Sequence, residues 1–217
     1  MGPIFTDMDS AGLIESLTNA GVLAVADNEM LCRAALFEER EAELQNAPEE
    51  CAESLNDAIV SALTRNSLLA TYLAVSDLAE LDEADALRAV LLLARLGRVE
   101  PPDDGAPEAF TAVDGDLLDL VLLLTERAIV YVWRHECPPC DVMREEFDDI
   151  LSTPPLDVAL LAVFGPDWPV HLQEQYNVVG GPTALFMIGK RVEVRLQGGQ
   201  HYSVIENEVS KFLTAAN

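Results

Sequence analysis

The sequence predicts an α/β domain in its C-terminal part, preceded by a mainly α-helical domain. Three observations lead there. Beyond residue 110, short β-branched or aromatic runs alternate with helical runs, the pattern of helices layered on a sheet. Before residue 100, apolar side chains recur at helical spacing with one short extended piece among them. Between the two, Pro101-Pro102-Asp103-Asp104-Gly105-Ala106-Pro107 reads as a semi-rigid, exposed linker. The domains are therefore drawn as 1–105, mainly helical, and 106–217, α/β.

In the first domain, residues 1–8 read as a frayed start. Asp9 or Ser10 caps a helix that puts Leu13, Ile14, Leu17 and Ala20 on one face and stops at Gly21. Val22-Leu23-Ala24-Val25 is a short extended piece. A second helix is expected from Glu29 to Gln45, with Leu31, Ala34, Ala35 and Leu44 inward and Glu38, Glu39, Glu41 and Glu43 outward. Helix, extended piece and helix also match a winged helix-turn-helix remnant. A DNA reader needs basic residues that this stretch lacks, so a plain helical bundle is preferred. Asn46-Ala47-Pro48 breaks the chain, and a third helix from about Glu49 aligns Leu55, Ala58, Ile59, Ala62 and Leu63. Leu68, Leu69, Tyr72 and Leu73 open a further set of turns, and a short separate segment starts at Ser76 or Asp77. Asp82 caps a helix from Glu83 to Leu96 that is apolar nearly all round, which predicts the central helix of this domain. No catalytic motif occurs here. Cys32 and Cys51 read as small apolar core residues, the alternative being a second redox pair if the fold joins them.

In the second domain, Phe110 to Val113 suits an edge strand and Leu117 to Glu126 a helix. Ala128-Ile129-Val130-Tyr131-Val132-Trp133 is a buried strand. A helix follows, with Val142, Met143, Phe147, Ile150 and Leu151 at helical spacing. Val158 to Phe164 is a continuous apolar run, as in a central strand covered on both faces. Gly165 to Pro169 is a loop and Val170 to Tyr176 a short helix; Trp168 lines a groove or packs as a core aromatic. Thr183 to Ile188 and Val192 to Leu196 form a hairpin around Gly189-Lys190. The last helix, Tyr202 to Thr214, turns Val204, Ile205, Val209, Phe212 and Leu213 to the sheet.

The chemistry concentrates in Cys137-Pro138-Pro139-Cys140, at the strand–helix junction. Two thiols three positions apart in a first helical turn share a face and can close a disulfide with little backbone movement. The free N–H groups and positive dipole end there favour a thiolate, the reactive form of cysteine. Prolines fit a first turn, where a missing N–H has no helical partner. The same spacing is also half of a zinc site, or two unrelated cysteines. A zinc site needs two more ligands; Cys32 and Cys51 are distant in sequence and His135 is too close, so a redox pair is preferred and no metal or cofactor is expected.

From about Gly115 to Asn217 the sequence resembles the thioredoxin family. The resemblance rests on Tyr131-Val132-Trp133-Arg134-His135-Glu136-Cys137-Pro138-Pro139-Cys140, on Gln175-Tyr176-Asn177-Val178-Val179-Gly180-Gly181-Pro182-Thr183, on Gly198-Gly199, and on the order of elements. It implies a central mixed sheet flanked by helices. It implies that Cys137 attacks and Cys140 resolves; their places in the helix put Cys137 at the mouth of the junction, next to the free N–H groups, and Cys140 one turn further in and more buried. It implies that Pro182 is a cis-proline facing the disulfide, and that Trp133, Gly181, Pro182 and Thr183 bind substrate. The match departs from the family pattern at four places. Tyr131 stands where a buried Asp is usual, Leu160 where a Lys is usual, Glu136 for a Trp and Asp141 for a basic residue. The proton relay to the resolving thiol is thereby altered, and the acidic neighbours oppose negative charge on sulfur. His135 offers a compensating positive charge, although a plain exposed histidine is the simpler reading.

Charge narrows the rest. Acids outnumber bases 38 to 13, for a net charge of −25, and the excess is spread over both halves. Only Lys190 and Lys211 are lysines, a composition that resembles cytoplasmic proteins of salt-accumulating halophiles. With no basic patch, nucleic acid is not expected as a partner. No stretch suits a membrane span, and the first residues lack the basic start and apolar run of a signal peptide, so a cytoplasmic location is expected. The resemblance implies a thiol–disulfide oxidoreductase acting on protein disulfides, with an electron donor or acceptor that the sequence does not identify. The alternative is a non-catalytic adaptor whose helical domain binds a partner protein while the dithiol senses redox state.

Overall fold

The computed structural model describes residues 10–26, 30–45, 55–65, 68–96 and 98–215. Outside these lie the frayed start with Asp9, the expected helix start at Glu29, the break at Asn46-Ala47-Pro48 with Glu49, Cys51, and Asn66 and Ser67. The chain divides into two compact units, Met1–Val99 and Glu100–Asn217.

The first unit begins with α1 (Ser10–Asn19), which buries Leu13 and Leu17. Gly21 leaves this helix at φ +71°, a conformation open to glycine without a Cβ penalty. The extended piece is β1 (Leu23–Val25), paired antiparallel with β2 (Leu31–Arg33), so that Ala24 faces Cys32. This pairing corrects the long second helix. The N–H of Ala26 donates to the Met30 carbonyl at 2.9 Å and that of Ala34 to Val22 at 3.0 Å, which commits Leu31 to Arg33 to a ladder. Helix α2 (Ala35–Leu44) starts only afterwards and buries Phe37, with the Arg33 guanidinium over its ring; Ala35 faces solvent rather than inward. Cys32 is a free, half-buried thiol.

Helix α3 (Asp57–Arg65) buries Ile59, Ala62 and Leu63. Helix α4 (Leu69–Leu78) runs unbroken through Ser76 and Asp77, contrary to the separate segment expected there. It buries Thr71, Tyr72, Ala74 and Val75 and packs on α2, α3 and α5. Helix α5 (Glu83–Arg95) is capped by Asp82, whose carboxylate accepts from the Asp85 N–H at 2.8 Å. Helix α5 buries one side, including Leu87, Val90 and Leu93, and packs on α4 and α1, whereas α4 packs on three helices.

The second unit follows the expected order of elements. They are β3 (Thr111–Ala112), α6 (Leu118–Leu123), β4 (Arg127–Trp133), α7 (Pro138–Ile150), β5 (Ala159–Phe164), α8 (Pro169–Tyr176), β6 (Thr183–Ile188), β7 (Arg191–Gln197) and α9 (Tyr202–Thr214). The sheet order is β3-β5-β4-β6-β7, with β3 and β4 parallel to β5, β6 antiparallel to β4, and β7 antiparallel to β6. Every residue of β4 is buried, as a central strand covered on both faces requires. Alternation sends Ile129, Tyr131 and Trp133 into one core with Met143 and Phe147 of α7 and Ile205, Val209 and Phe212 of α9. Val142 and Val204 face solvent instead of this core, being offset from the buried stripe of their helices.

The proline-rich stretch is not an exposed linker. Pro107 is buried, and Ala106 packs against the core. A Cβ on Gly105 would overlap the Trp133 ring, so only glycine allows this approach. The stretch is tied down at both ends: Arg144 of α7 donates to the Asp104 carbonyl at 3.4 Å, and Asp148 accepts from the Glu108 N–H at 2.6 Å. Three prolines lower the cost of ordering it. It belongs to the second unit, which begins ahead of the break drawn after Gly105.

Candidate active site

The strand–helix junction holds the two cysteines because β4 delivers the chain to the sheet's end and Pro138 starts α7 at once. Cys137 and Cys140 form a disulfide, with Cα atoms 5.2 Å apart. Cys137 is the N-cap of α7, and its sulfur accepts the Cys140 N–H at 3.2 Å. A donor aimed at Sγ favours negative charge on that atom. Glu136, just before it, adopts a left-handed φ of 51° and is exposed.

The second wall is the loop before β6. The Gly181–Pro182 peptide bond is cis. The Gly181 carbonyl oxygen lies 3.8 Å from Cys137 Sγ. A Cβ on Gly181 would come within 3.1 Å of the Val132 carbonyl oxygen and the Trp133 Cα, so a side chain there would push the loop off β4. Pro182 and Thr183 are buried, and the Thr183 hydroxyl donates to the Gly180 carbonyl at 2.6 Å. Thr183 therefore shapes the loop from inside.

Two expectations change. Cys137 is not the more exposed sulfur residue: it is 2% exposed and Cys140 3%, because the Gly181 loop lies over the junction. Trp133 does not offer its ring to a substrate. The indole is 1% exposed, beneath Gly105 and against Phe164 and His135, with ring centroids at 4.9 and 5.2 Å. His135 meets Trp133 edge-on and Phe164 at a tilt and sits 3.8 Å from Asp104, so its neighbours are that acid and two aromatics. Trp168 is a packed aromatic: a Cβ on Gly115 would lie 2.6 Å from its ring.

Beneath the disulfide, the Tyr131 hydroxyl donates to the Cys140 carbonyl at 2.8 Å. Burial pushes this phenol well above its ordinary range; Arg144 pulls it back, and Asp141 and Asp148 add to the rise. It stays a neutral donor at physiological pH and accepts no proton from Cys140. Leu160, also buried, supplies no charge.

Sequence reading missed a cavity of about 180 Å³ beside the Gly181 loop, lined among others by Arg134, Pro166, Leu172 and Val179. Its signal in the sequence was Arg134 itself, a rare base three positions before Cys137. Among the described residues, no three His, Cys, Asp or Glu side chains gather as a metal site, and no helix is long and apolar enough to cross a membrane.

No family model matches this chain, and no curated protein sequence is similar to it. Solved structures do resemble it. Thioredoxin f from spinach chloroplast, in its short form, is similar over 48% of this chain and 93% of its own, at 17% identity and a TM-score of 0.42. Mitochondrial thioredoxin 3 from Saccharomyces cerevisiae, in its oxidised form, is similar over 48% of this chain and 95% of its own, at 13% identity and a TM-score of 0.42. Each of these similarities extends over about half of this chain.

Proposed function

We propose that the second unit is a thiol–disulfide oxidoreductase of thioredoxin type, acting on disulfides of other proteins through Cys137 and Cys140. The observation that carries this reading is the Cys137 sulfur at the N-cap of α7, holding the Cys140 N–H at 3.2 Å with the Gly181 carbonyl 3.8 Å away. In the reduced enzyme the Cys137 thiolate attacks one sulfur of a substrate disulfide. A mixed disulfide forms, and the other substrate sulfur leaves as a thiolate and takes a proton from water. Cys140 loses its proton and attacks Cys137 Sγ, which frees the second substrate thiol and leaves the Cys137–Cys140 disulfide. Two electrons pass from the dithiol to the substrate, and an external thiol reductant restores the pair. Because Tyr131 takes no proton, the one from Cys140 passes to water or to the departing substrate thiolate, and slow resolution is the expected outcome.

The test is reduction of insulin disulfides by the full chain with dithiothreitol as donor. Cys137→Ser should abolish turnover. Cys140→Ser should keep one reactive thiol and accumulate covalent complexes with the substrate. Trapping by Cys137→Ser and none by Cys140→Ser would reverse the two roles. Full turnover by both single variants would end the redox reading.

A further inference from the structure

The cavity beside the Gly181 loop points to a choice among substrates that the dithiol alone does not make. We infer, on the basis of the oxidoreductase reading, that Arg134 and this cavity select protein segments carrying an apolar side chain and an adjacent carboxylate next to the disulfide to be reduced.

Size argues for a side chain of a bound segment as the occupant. About 180 Å³ compares with an engineered cavity of about 150 Å³ that holds benzene, and falls below the range of about 300–1,000 Å³ usual for whole small-molecule ligands. The lining suits an apolar group: Val132, Pro166, Pro169, Leu172 and Val179 all contribute. Val179, on the rim, is 74% exposed, and Val170 of α8 beside Pro169 is 65% exposed. Gly181 ties the cavity to the chemistry, since it lines the wall and its carbonyl oxygen lies 3.8 Å from Cys137 Sγ.

Charge supplies the second half. This chain has 13 basic residues against 38 acidic ones. The described basic side chains are engaged: Arg33 with Glu41, Arg40 with Asp77, Arg88 with Asp85, Arg127 with Asp157, Lys190 with Asp119, Arg191 with Glu193 and Lys211 with Glu208. Arg144 and Arg195 donate to the Asp104 and Tyr176 carbonyls, and Arg95 and Arg98 also have partners. Among the basic residues whose side chains the structure describes, Arg134 alone has none, and it is exposed on the wall of the cavity. A guanidinium in a surplus of acid, yet unpaired, is free to take a carboxylate from a substrate by a two-pronged hydrogen bond.

The test uses matched cystine peptides with Leu followed by Glu, Gln or Lys beside the disulfide. Reduction by the full chain is measured in about 1 M NaCl, where the Debye length of ~3 Å suppresses general repulsion from the acidic surface. The Glu-to-Gln ratio of kcat/KM should be about tenfold, the weight of one charge-assisted contact. It should fall to near one in Arg134→Gln, and Arg134→Glu should prefer the Lys peptide. A ratio near one in the unaltered chain, or one that Arg134→Gln leaves in place, overturns the inference while the redox reading stands. Titration of Ser-for-Cys peptides onto the Cys137→Ser, Cys140→Ser double variant separates the two claims. Should the chain reduce none of the peptides, an Arg134-dependent preference for Glu in this binding upholds the inference while the redox reading falls. No preference in binding overturns it.

Discussion

The two faces of the second unit's sheet treat a buried polar group in opposite ways. On the α6–α8 face, Asp119 is fully buried as a carboxylate. The Tyr176 hydroxyl donates to it at 2.5 Å, Lys190 Nζ lies 3.2 Å from one oxygen, and His171 Nε2 lies 3.6 Å from the other. On the α7–α9 face, directly beneath the disulfide, the buried polar group is Tyr131, whose one hydrogen bond runs to a backbone carbonyl. The same fold thus admits a charge where three side chains converge on it and a neutral phenol where an acceptor waits. On the α7–α9 face no side-chain donor comparable to Tyr176 meets the Tyr131 hydroxyl among the described residues, and under the proposed function the absence of a buried base there is what would slow Cys140.

The comparison breaks most visibly at Tyr131→Asp. A carboxylate there faces the Cys140 carbonyl and lies in the field of Asp141 and Asp148 as well as Arg144, so a loss of about 3–5 kcal/mol is expected from urea unfolding at neutral pH. Burial would raise the folded pKa of that acid. The loss of the buried ring is present at every pH, and the further loss from the charge should grow as pH rises through the unfolded carboxylate range, ~3.9, towards the raised folded value. Wherever the variant stays folded, release of the mixed disulfide should speed up in stopped-flow measurements. A stable Tyr131→Asp with an unchanged release rate would show that neither donors nor a missing base define this face.

A smaller effect is expected from Asp119→Asn, which keeps the shape but removes the charge that Lys190 and His171 face. Lys190 is partly exposed and can turn to water, so about 2 kcal/mol is expected from the same unfolding assay. Turnover per folded molecule should hold, because Asp119 lies on the other face of the sheet. The smallest effect is that of Tyr131→Phe, about 1 kcal/mol for one neutral hydrogen bond. Its pH dependence sharpens the point. The folded phenol is raised by burial, so its contribution is present below the unfolded value of ~10 and is lost as pH rises above it. The gap between the two proteins should shrink in alkaline melts.

Much of this face was legible beforehand for a local reason. The β-branched and aromatic run Ala128 to Trp133 marks a buried strand, and the spacing of Ile205, Val209 and Phe212 marks α9, because each pattern depends on neighbours in sequence. What escaped depends on distant partners. Leu31 to Arg33 carries no strand signal of its own and becomes β2 only by pairing with Leu23 to Val25. The covering of Trp133 rests on Gly105, and nothing near either residue announces it. Arg134 could be seen as a rare base, but its lack of a partner emerges only when the other described bases are found engaged. The thiols were legible and their equal burial was not, since that follows from the Gly181 loop folding over them.

The Trp133–Gly105 contact has an optical consequence. Trp133 and Trp168 are the tryptophans of this chain. The Trp133 indole is enclosed by aromatic and backbone atoms, and its Nε1–H meets no acceptor among the described residues. An indole so placed emits to the blue of one in water, and it sits four residues from a disulfide, a group that quenches such emission by contact. The stretch from Glu100 to Phe110 is the shade over this lamp. Reducing the cysteines should brighten it, whereas lifting the stretch should redden it, so intensity and colour report separately on the sulfurs and on the cover above them.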